Sequence, residues 1–145
     1  MVLEAEVVEI DAILEQLVAE TAPELIARPG IGTECASALL VAAGDNPERL
    51  RNEATFAHLC GVAPLDASSG KHERHRLNRG DRQANSALWR VVITRMVDDP
   101  RTRDYIDRRM KGGLTKKEAF RCLKRYIARE VYACLPRDQL AIDDP

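Results

Sequence analysis

Two adjacent serines stand in a glycine-flanked stretch near the middle of the chain, immediately before a run of positive charge. Ser68 and Ser69 are followed by Gly70 and Lys71. A serine hydroxyl becomes a useful nucleophile only when a base or a strong electrostatic field activates it, and attack on phosphorus also requires stabilisation of the negative charge that develops. The cations suited to that second task, and to holding DNA phosphates, are Lys71, Arg74, Arg76, Arg79 and Arg82. The stretch therefore predicts either a serine that attacks a phosphodiester or a loop that only contacts DNA.

Three other chemistries fit this stretch poorly. A P-loop would need glycine at the position of Leu65 and serine or threonine at the position of His72. His72 and His75 could ligate zinc together with Cys60, but no second cysteine lies close to Cys60 and the loop is strongly cationic. A Ser-His-Asp hydrolase can be assembled only from the composition of the chain. We therefore predict no nucleotide-binding loop and no metal site in this chain.

The composition predicts one all-α domain. The chain has 145 residues, of which 4% are aromatic, and it lacks runs with the strict alternation of a β-strand. Its cysteines are widely spaced without a C-x-x-C pair, which predicts reduced thiols in a cytoplasmic protein. A signal-peptide pattern and an apolar run of membrane-spanning length are both missing from the sequence, so no membrane partner is expected.

Positive and negative charges are segregated along the sequence. Residues 1–24 contain seven acidic residues and no Lys or Arg, whereas residues 71–95 contain one Lys and six Arg, and residues 101–129 are richer still in Lys and Arg. Such asymmetry indicates a polyanion partner for the middle and C-terminal parts. The basic face of the last helix carries Arg121, Lys124, Arg125 and Arg129.

The N-terminal segment, residues 1–24, predicts an acidic amphipathic helix. Its apolar residues recur at alternating intervals of four and three, the pattern of a coiled-coil seam. A helix of this length is marginal in water, so it must pack either on a second copy, giving a homo-oligomer, or on the rest of the chain. The seam residues are Leu3, Val7, Ile10, Leu14 and Leu17.

A Pro-Gly-Ile-Gly turn beginning at Pro29 separates a short apolar helix from an Ala- and Leu-rich helix, which we expect Thr33 to cap. This is the pattern of a helix-hairpin-helix, in which turn amides and the positive end of the second helix hold a DNA phosphate without reading sequence. The expected contacts are Gly30, Ile31, Gly32 and Thr33. A plain αα-hairpin without a DNA role is the alternative.

The remaining helices follow capping and breaking signals. Asp81 is expected to cap a helix that ends near Asp98 and places Trp89 in the core. Residues 102–110 predict a further helix, and Thr115 with Glu118 forms a capping box that opens a long basic C-terminal helix. We thus predict one domain over residues 25–135, followed by an acidic tail over residues 136–145.

In this order and spacing the segments resemble the C-terminal transposase domain of the bridge-RNA-guided insertion-sequence transposases, the IS110 type. The similarity extends from Leu25 to about Val92, and the basic helices that follow are similar in character. The matching segments are Arg28-Pro29-Gly30-Ile31-Gly32, Ala38-Leu39-Leu40, Gly44-Asp45, Phe56, Leu59-Cys60-Gly61-Val62-Ala63-Pro64, Ser68-Ser69-Gly70-Lys71 and Asn78-Arg79-Gly80-Asp81, with Leu88 after them.

The resemblance implies DNA transposition or recombination with a serine nucleophile, which by position is Ser69, with Ser68 as the alternate. It also implies DNA and a guide RNA as partners. In that family a preceding Holliday-resolvase-like domain holds divalent metal, Mg²⁺, on four acidic residues, and this chain has no room for that domain. The acidic helix of residues 1–24 is similar to the linker that joins the two domains in the family. We therefore expect a fragment of a transposase that is inactive alone and has no cofactor of its own. A non-catalytic helix-hairpin-helix module that binds DNA is the alternative.

Overall fold

A computed structural model of the protein describes residues 2–63 and 80–136. These residues form α-helices, with a 3-10 helix at Pro47–Leu50, and they contain no strand. The prediction of an all-α fold is confirmed. The helices are α1 (Val2–Thr21), α2 (Pro23–Ile26), α3 (Thr33–Asp45), α4 (Glu53–Leu59), α5 (Arg82–Asp98), α6 (Pro100–Lys111) and α7 (Lys116–Cys134).

Local capping signals set several helix boundaries. The Asp81 side chain accepts a hydrogen bond of 2.9 Å from the amide of Ala84 at the start of α5. At the start of α7 the Thr115 hydroxyl accepts from the Glu118 amide at 3.1 Å, and the Glu118 carboxylate accepts from the Thr115 amide at 2.9 Å. This reciprocal pair is the predicted capping box, and it satisfies two amides that a helix start otherwise leaves unpaired.

The core lies where α3 and α7 pack on α5. The pairing of α3 with α5 is the most extensive helix contact, and its small and branched side chains allow the two helices to approach closely. The α4 helix adds Phe56, whose ring lies 5.7 Å from that of Tyr132 on α7. Fully buried members of this core include Leu39, Leu50, Phe56, Leu88, Val91, Val92, Ile127 and Val131.

The α1 helix packs on α2 and α3 through its C-terminal end only. Of the predicted seam residues only Leu14 is partly buried against the core, whereas the others are exposed, Leu3 to 74% and Leu17 to 53%. Val18, which lies outside the seam, is buried. Burial of α1 on its own domain therefore accounts for Leu14 alone of the predicted seam. Packing of its exposed apolar side chains on a second copy remains a prediction.

Two local expectations are corrected by the structure. The N-cap of α3 is Gly32 rather than Thr33, because the Gly32 carbonyl already accepts the first helical hydrogen bond, from Ala36 at 2.9 Å, while Thr33 lies inside the first turn. Trp89 is 40% exposed rather than in the core. Its ring packs edge-on against Phe120 at 5.5 Å at the margin of the α5 and α7 contact.

None of the helices formed by residues 2–63 and 80–136 combines the length and the apolar character needed to cross a bilayer.

Candidate nucleic-acid interface

The turn between α2 and α3 sits directly on α5. Gly30 has a φ of +76°, a left-handed conformation that favours glycine. A Cβ atom at this position would lie 3.1 Å from Cγ of Arg95 and 3.5 Å from the Val91 carbonyl oxygen. Ile31 points into the core. The turn is therefore held in one position by its backbone and by an apolar anchor.

Arg95 binds this turn to the rest of the domain. Its side chain is only 7% exposed, and its Nε donates a 2.7 Å hydrogen bond to the Pro29 carbonyl. The two terminal nitrogens donate to Glu130 on α7 at 3.1 and 2.8 Å. One buried guanidinium thus joins the turn, α5 and α7. The sequence only counted Arg95 as the last basic residue of the segment 71–95, and the structure shows that it has a structural role.

The predicted phosphate contacts of the turn differ in whether their backbone amides are already hydrogen-bonded. Among the described residues the amides of Gly32, Thr33 and Glu34 have no hydrogen-bond partner, as expected at a helix start that could receive an anion. The Ile31 amide, in contrast, donates to the Arg28 carbonyl at 3.2 Å. The α2 helix has only four residues, so the first helix of the predicted hairpin is short.

A groove of about 740 Å³ runs along the turn between α1 and α5. The groove is lined by both positive and negative side chains. Arg28 and Arg90 line it together with acidic residues of α1 and α3. The acidic side chains are Asp11, Glu15 and Glu34. The α1 acids, which the sequence assigned to a linker, therefore reduce the positive potential in front of the turn.

The segment with the two serines begins and ends at one closed stem. Gly61 has a φ of +72°, and Gly80 packs so closely on it that a Cβ on Gly80 would lie 2.5 Å from the Gly61 nitrogen. The Asp81 amide donates to the Leu59 carbonyl at 2.6 Å, and Asn85 Nδ2 donates to the Cys60 carbonyl at 2.9 Å. These contacts fix both ends of the segment at the start of α5.

Most of the predicted site residues belong to that segment. The residues of this segment lie outside the described residues, so their predicted roles stay predictions: Ser68, Ser69, Lys71, Arg74, Arg76 and Arg79. Arg82 follows the segment, and it is exposed at the first position of α5 beside the stem.

Lys124 of α7 is the charged side chain that lies against the stem. Its Nζ donates to Asn85 Oδ1 at 3.1 Å and lies 6.0 Å from the centre of the Trp89 ring. Burial, followed by the nearby charge of Arg121, lowers the pKa of Lys124. The neighbouring Cys60 thiol stays protonated, because burial raises its pKa to about 12. The sequence pattern placed Lys124 on a basic helix face but gave no signal for this contact.

The described residues do not fit a divalent metal ion. No three His, Cys, Asp or Glu side chains within residues 2–63 and 80–136 lie close enough together to hold one.

Comparison with known proteins places these features in a family. The model of the Transposase IS116/IS110/IS902 family matches residues 22–107, which include the turn and the stem. The chain is 33% identical over 129 residues to the 43.6 kDa protein of insertion element IS110 from Streptomyces coelicolor, covering 88% of this chain and 31% of that protein. It is 26% identical over 139 residues to the 42 kDa protein of insertion element IS900 from Mycobacterium paratuberculosis, covering 93% of this chain and 35% of that protein. The chain thus spans about a third of the length of these relatives. No solved structure matches it.

Replacing Arg95 by alanine is expected to destabilise the domain by about 3–5 kcal/mol, because it removes both short hydrogen bonds to the largely buried Glu130 carboxylate. Glu130 then keeps only its 3.8 Å pair with the half-exposed Arg28. Arg90→Ala is the matched control on the same helix. Arg90 forms a 3.5 Å pair with the exposed Glu34, and such surface pairs contribute about 0–1 kcal/mol. Urea unfolding followed by far-UV circular dichroism measures both variants. Equal losses of unfolding free energy in the two variants would show that the Arg95 contacts do not hold the turn, α5 and α7 together.

Replacing Gly80 by alanine is expected to lower the free energy of unfolding by about 1–3 kcal/mol, because the added methyl group overlaps backbone atoms that cannot move aside. A Cβ there would lie 2.6 Å from the Leu59 carbonyl oxygen as well as close to Gly61. Gly44→Ala is the control, since no atom lies within 4 Å of its added methyl group, and alanine favours a helix by up to about 1 kcal/mol. Thermal unfolding compares them, and a Gly80→Ala variant as stable as the parent would refute the closed stem.

Proposed function

Because the chain belongs to the Transposase IS116/IS110/IS902 family, we propose that it is the part of a longer transposase that binds DNA and supplies the serine for strand cleavage and transfer. The observation that carries the proposal is the closed stem between Gly61 and Gly80. This stem fixes the start and the end of the segment that contains Ser68 and Ser69. With both ends of the segment held together, fewer positions are open to a nucleophile on it, and this favours positioning for attack.

The stem also lies among positive charges suited to DNA phosphates. Arg82 is exposed beside it, and Lys124 is held against it by Asn85. The sequence adds Lys71, Arg74, Arg76 and Arg79 between the two ends of the stem. Backbone amides at the start of α3, including those of Gly32 and Thr33, supply a second phosphate contact in this proposal. Contacts of both kinds hold the backbone of DNA and do not distinguish sequences.

In the proposed reaction the Ser69 oxygen forms a bond to the phosphorus of a DNA strand. The bond from that phosphorus to one bridging oxygen breaks, the serine proton passes to a base, and the departing oxygen takes up a proton. The strand is then held as a phosphoserine ester until a hydroxyl of another strand end attacks the same phosphorus and releases the serine. The cations at the stem stabilise the charge that develops on the phosphoryl oxygens.

The proposal includes partners that the described residues do not supply. The longer transposase would provide the divalent metal through a separate acidic domain, and a guide RNA would select the DNA. The exposed apolar side chains of α1 are suited to pairing with the same helix of a second copy, because an isolated helix of this kind gains stability only by packing.

The 145-residue chain is expected to bind unrelated DNA duplexes with similar affinity, and the affinity should fall steeply with salt, because phosphate contacts release counterions. Fluorescence anisotropy over a range of salt concentrations measures this dependence. Charge reversal at Arg76 or Arg79 should weaken all duplexes alike, whereas a loss confined to one DNA sequence would contradict phosphate contact. Binding that is absent or independent of salt would refute the proposed DNA role.

Replacing Ser69 by alanine in the full transposase is expected to abolish strand cleavage and to leave DNA binding intact, because only the nucleophilic oxygen is lost. Ser68→Ala is the matched control and should retain cleavage. The measurements are cleavage of a labelled duplex, capture of a covalent protein–DNA adduct, and DNA affinity. Cleavage lost only in Ser68→Ala would transfer the role to that serine. Cleavage by both single variants and by the double variant would favour a module that binds DNA without chemistry.

A further inference from the structure

Two neighbouring cavities of about 380 Å³ each open on the face formed by α6 and α7, away from the stem. The first lies between the Pro29 turn, α6 and α7, and the second lies between α4, α6 and α7. Tyr105 of α6 and Tyr126 of α7 line both cavities. The two tyrosines therefore form the boundary at which the cavities meet, and we call the whole surface the tyrosine groove.

The tyrosine groove carries an excess of positive charge. Seven arginines line its two cavities, against the three carboxylates of Asp99, Glu53 and Glu130. Glu130 is already occupied by the buried Arg95, Asp99 pairs with Arg101 at 3.3 Å, and Glu53 pairs with Arg129 at 3.0 Å. All three carboxylates are thus committed to particular arginines.

Three arginines of the tyrosine groove are not held in ion pairs. Among the described residues Arg108, Arg109 and Arg125 form no ion pair with a carboxylate, although Asp104 and Asp107 line an adjacent cavity together with Arg108. Arg109 and Arg125 donate hydrogen bonds to the Cys122 sulfur, at 3.3 and 3.6 Å. Cations that lie on both sides of the two tyrosines and are not held in ion pairs are suited to successive phosphates of one strand.

The two tyrosines of the groove supply the second part of a nucleic-acid site. Tyr126 is 58% exposed, and its hydroxyl forms no hydrogen bond to another described residue. The Tyr105 ring already has the Arg109 guanidinium 5.9 Å from its centre. An accessible ring beside cations is the arrangement on which unpaired bases stack, since every base presents a flat face to it. The bases of a duplex already stack on one another and cannot use such a ring.

We propose that the tyrosine groove binds an unpaired stretch of nucleic acid, with a base stacked on Tyr126 and the flanking phosphates bound by Arg108 on one side and by Arg109 and Arg125 on the other. The inference rests on the proposed nucleic-acid function but names a different surface and a different form of the ligand. Stacking and phosphate contact are shared by DNA and RNA strands, so the test includes both.

The test measures anisotropy of labelled oligonucleotides bound to the 145-residue chain. The probes are oligo-dT and oligo-U of about 12 nucleotides, within the range of single-strand sites, and a blunt DNA duplex. Tyr126→Ala should weaken binding of the single strands by about five-fold or more, the loss expected from one stacked base, and leave duplex binding unchanged. Tyr126→Phe keeps the ring and should bind as the parent does.

Two further variants separate the groove from general positive charge. Arg108→Ala should weaken binding of the single strands, whereas Arg121→Ala should have a smaller effect, because Arg121 is exposed on α7 but lines neither cavity. Bromouracil in either strand type should crosslink to Tyr126 on irradiation. A preference for oligo-U or for oligo-dT would identify the source of the strand and support the groove.

The proposal is wrong if Tyr126→Ala binds single strands as the parent does, or if it loses duplex and single-strand binding equally. The thermal unfolding temperature of each variant distinguishes a lost contact from a lost fold, and Tyr126→Phe provides the same control for the ring. Tyr126-dependent binding of single strands without any duplex binding would refute the duplex role proposed above and leave the groove intact. The two proposals therefore fail separately.

Discussion

The pairing of Arg95 with Glu130 determines how the parts of this domain are arranged. A buried guanidinium is stable only when hydrogen bonds replace its lost water, and Arg95 meets this need with the Pro29 carbonyl and both oxygens of Glu130. Because these partners come from the turn and from α7, movement of either one removes hydrogen bonds that the buried guanidinium needs. Gly30 follows from the same constraint, since a side chain there would press on Cγ of Arg95.

A second set of side-chain contacts joins the same two helices at positions nearer their N-termini. The α5 helix contributes Asn85 to the loop stem and Arg95 to the turn, about 15 Å apart along the helix axis. The α7 helix contributes the partner in both places, Lys124 to Asn85 and Glu130 to Arg95. Tyr126 lies between those two partners in sequence. The stem, the turn and the tyrosine groove are therefore positioned by one pair of helices.

The features that the sequence predicts well are those set by neighbours in the chain. The capping box of Thr115 and Glu118, the Asp81 cap and the all-α class depend on short-range geometry, and they are confirmed. The role of Arg95 depends on partners 35 and 66 residues away. Nothing in its local pattern distinguishes a buried structural arginine from a surface cation, so the sequence counted it with the other basic residues of the segment 71–95.

The candidate site shows the same difference between features set by the local sequence and features set by distant contacts. Family resemblance identifies the serine segment without any knowledge of its surroundings, and the roles of Ser68 and Ser69 remain predictions. The stem required the structure, because the approach of Gly61 and Gly80 is a contact between positions 19 residues apart that involves no side chain. The tyrosine groove was missed because Tyr105 and Tyr126 belong to different helices, whose packing brings their rings to one surface.

The folded chain also changes how the segregation of charge should be understood. In the sequence the acids of residues 1–24 are distant from the basic segments. In the structure Asp11 and Glu15 line the groove at the turn, where they oppose an approaching polyanion. The lining of the tyrosine groove meets a polyanion with less opposition, because its three carboxylates are already paired with arginines. A nucleic acid should therefore gain most of its electrostatic attraction at the tyrosine groove and the loop stem, and the turn should contribute chiefly through its amides.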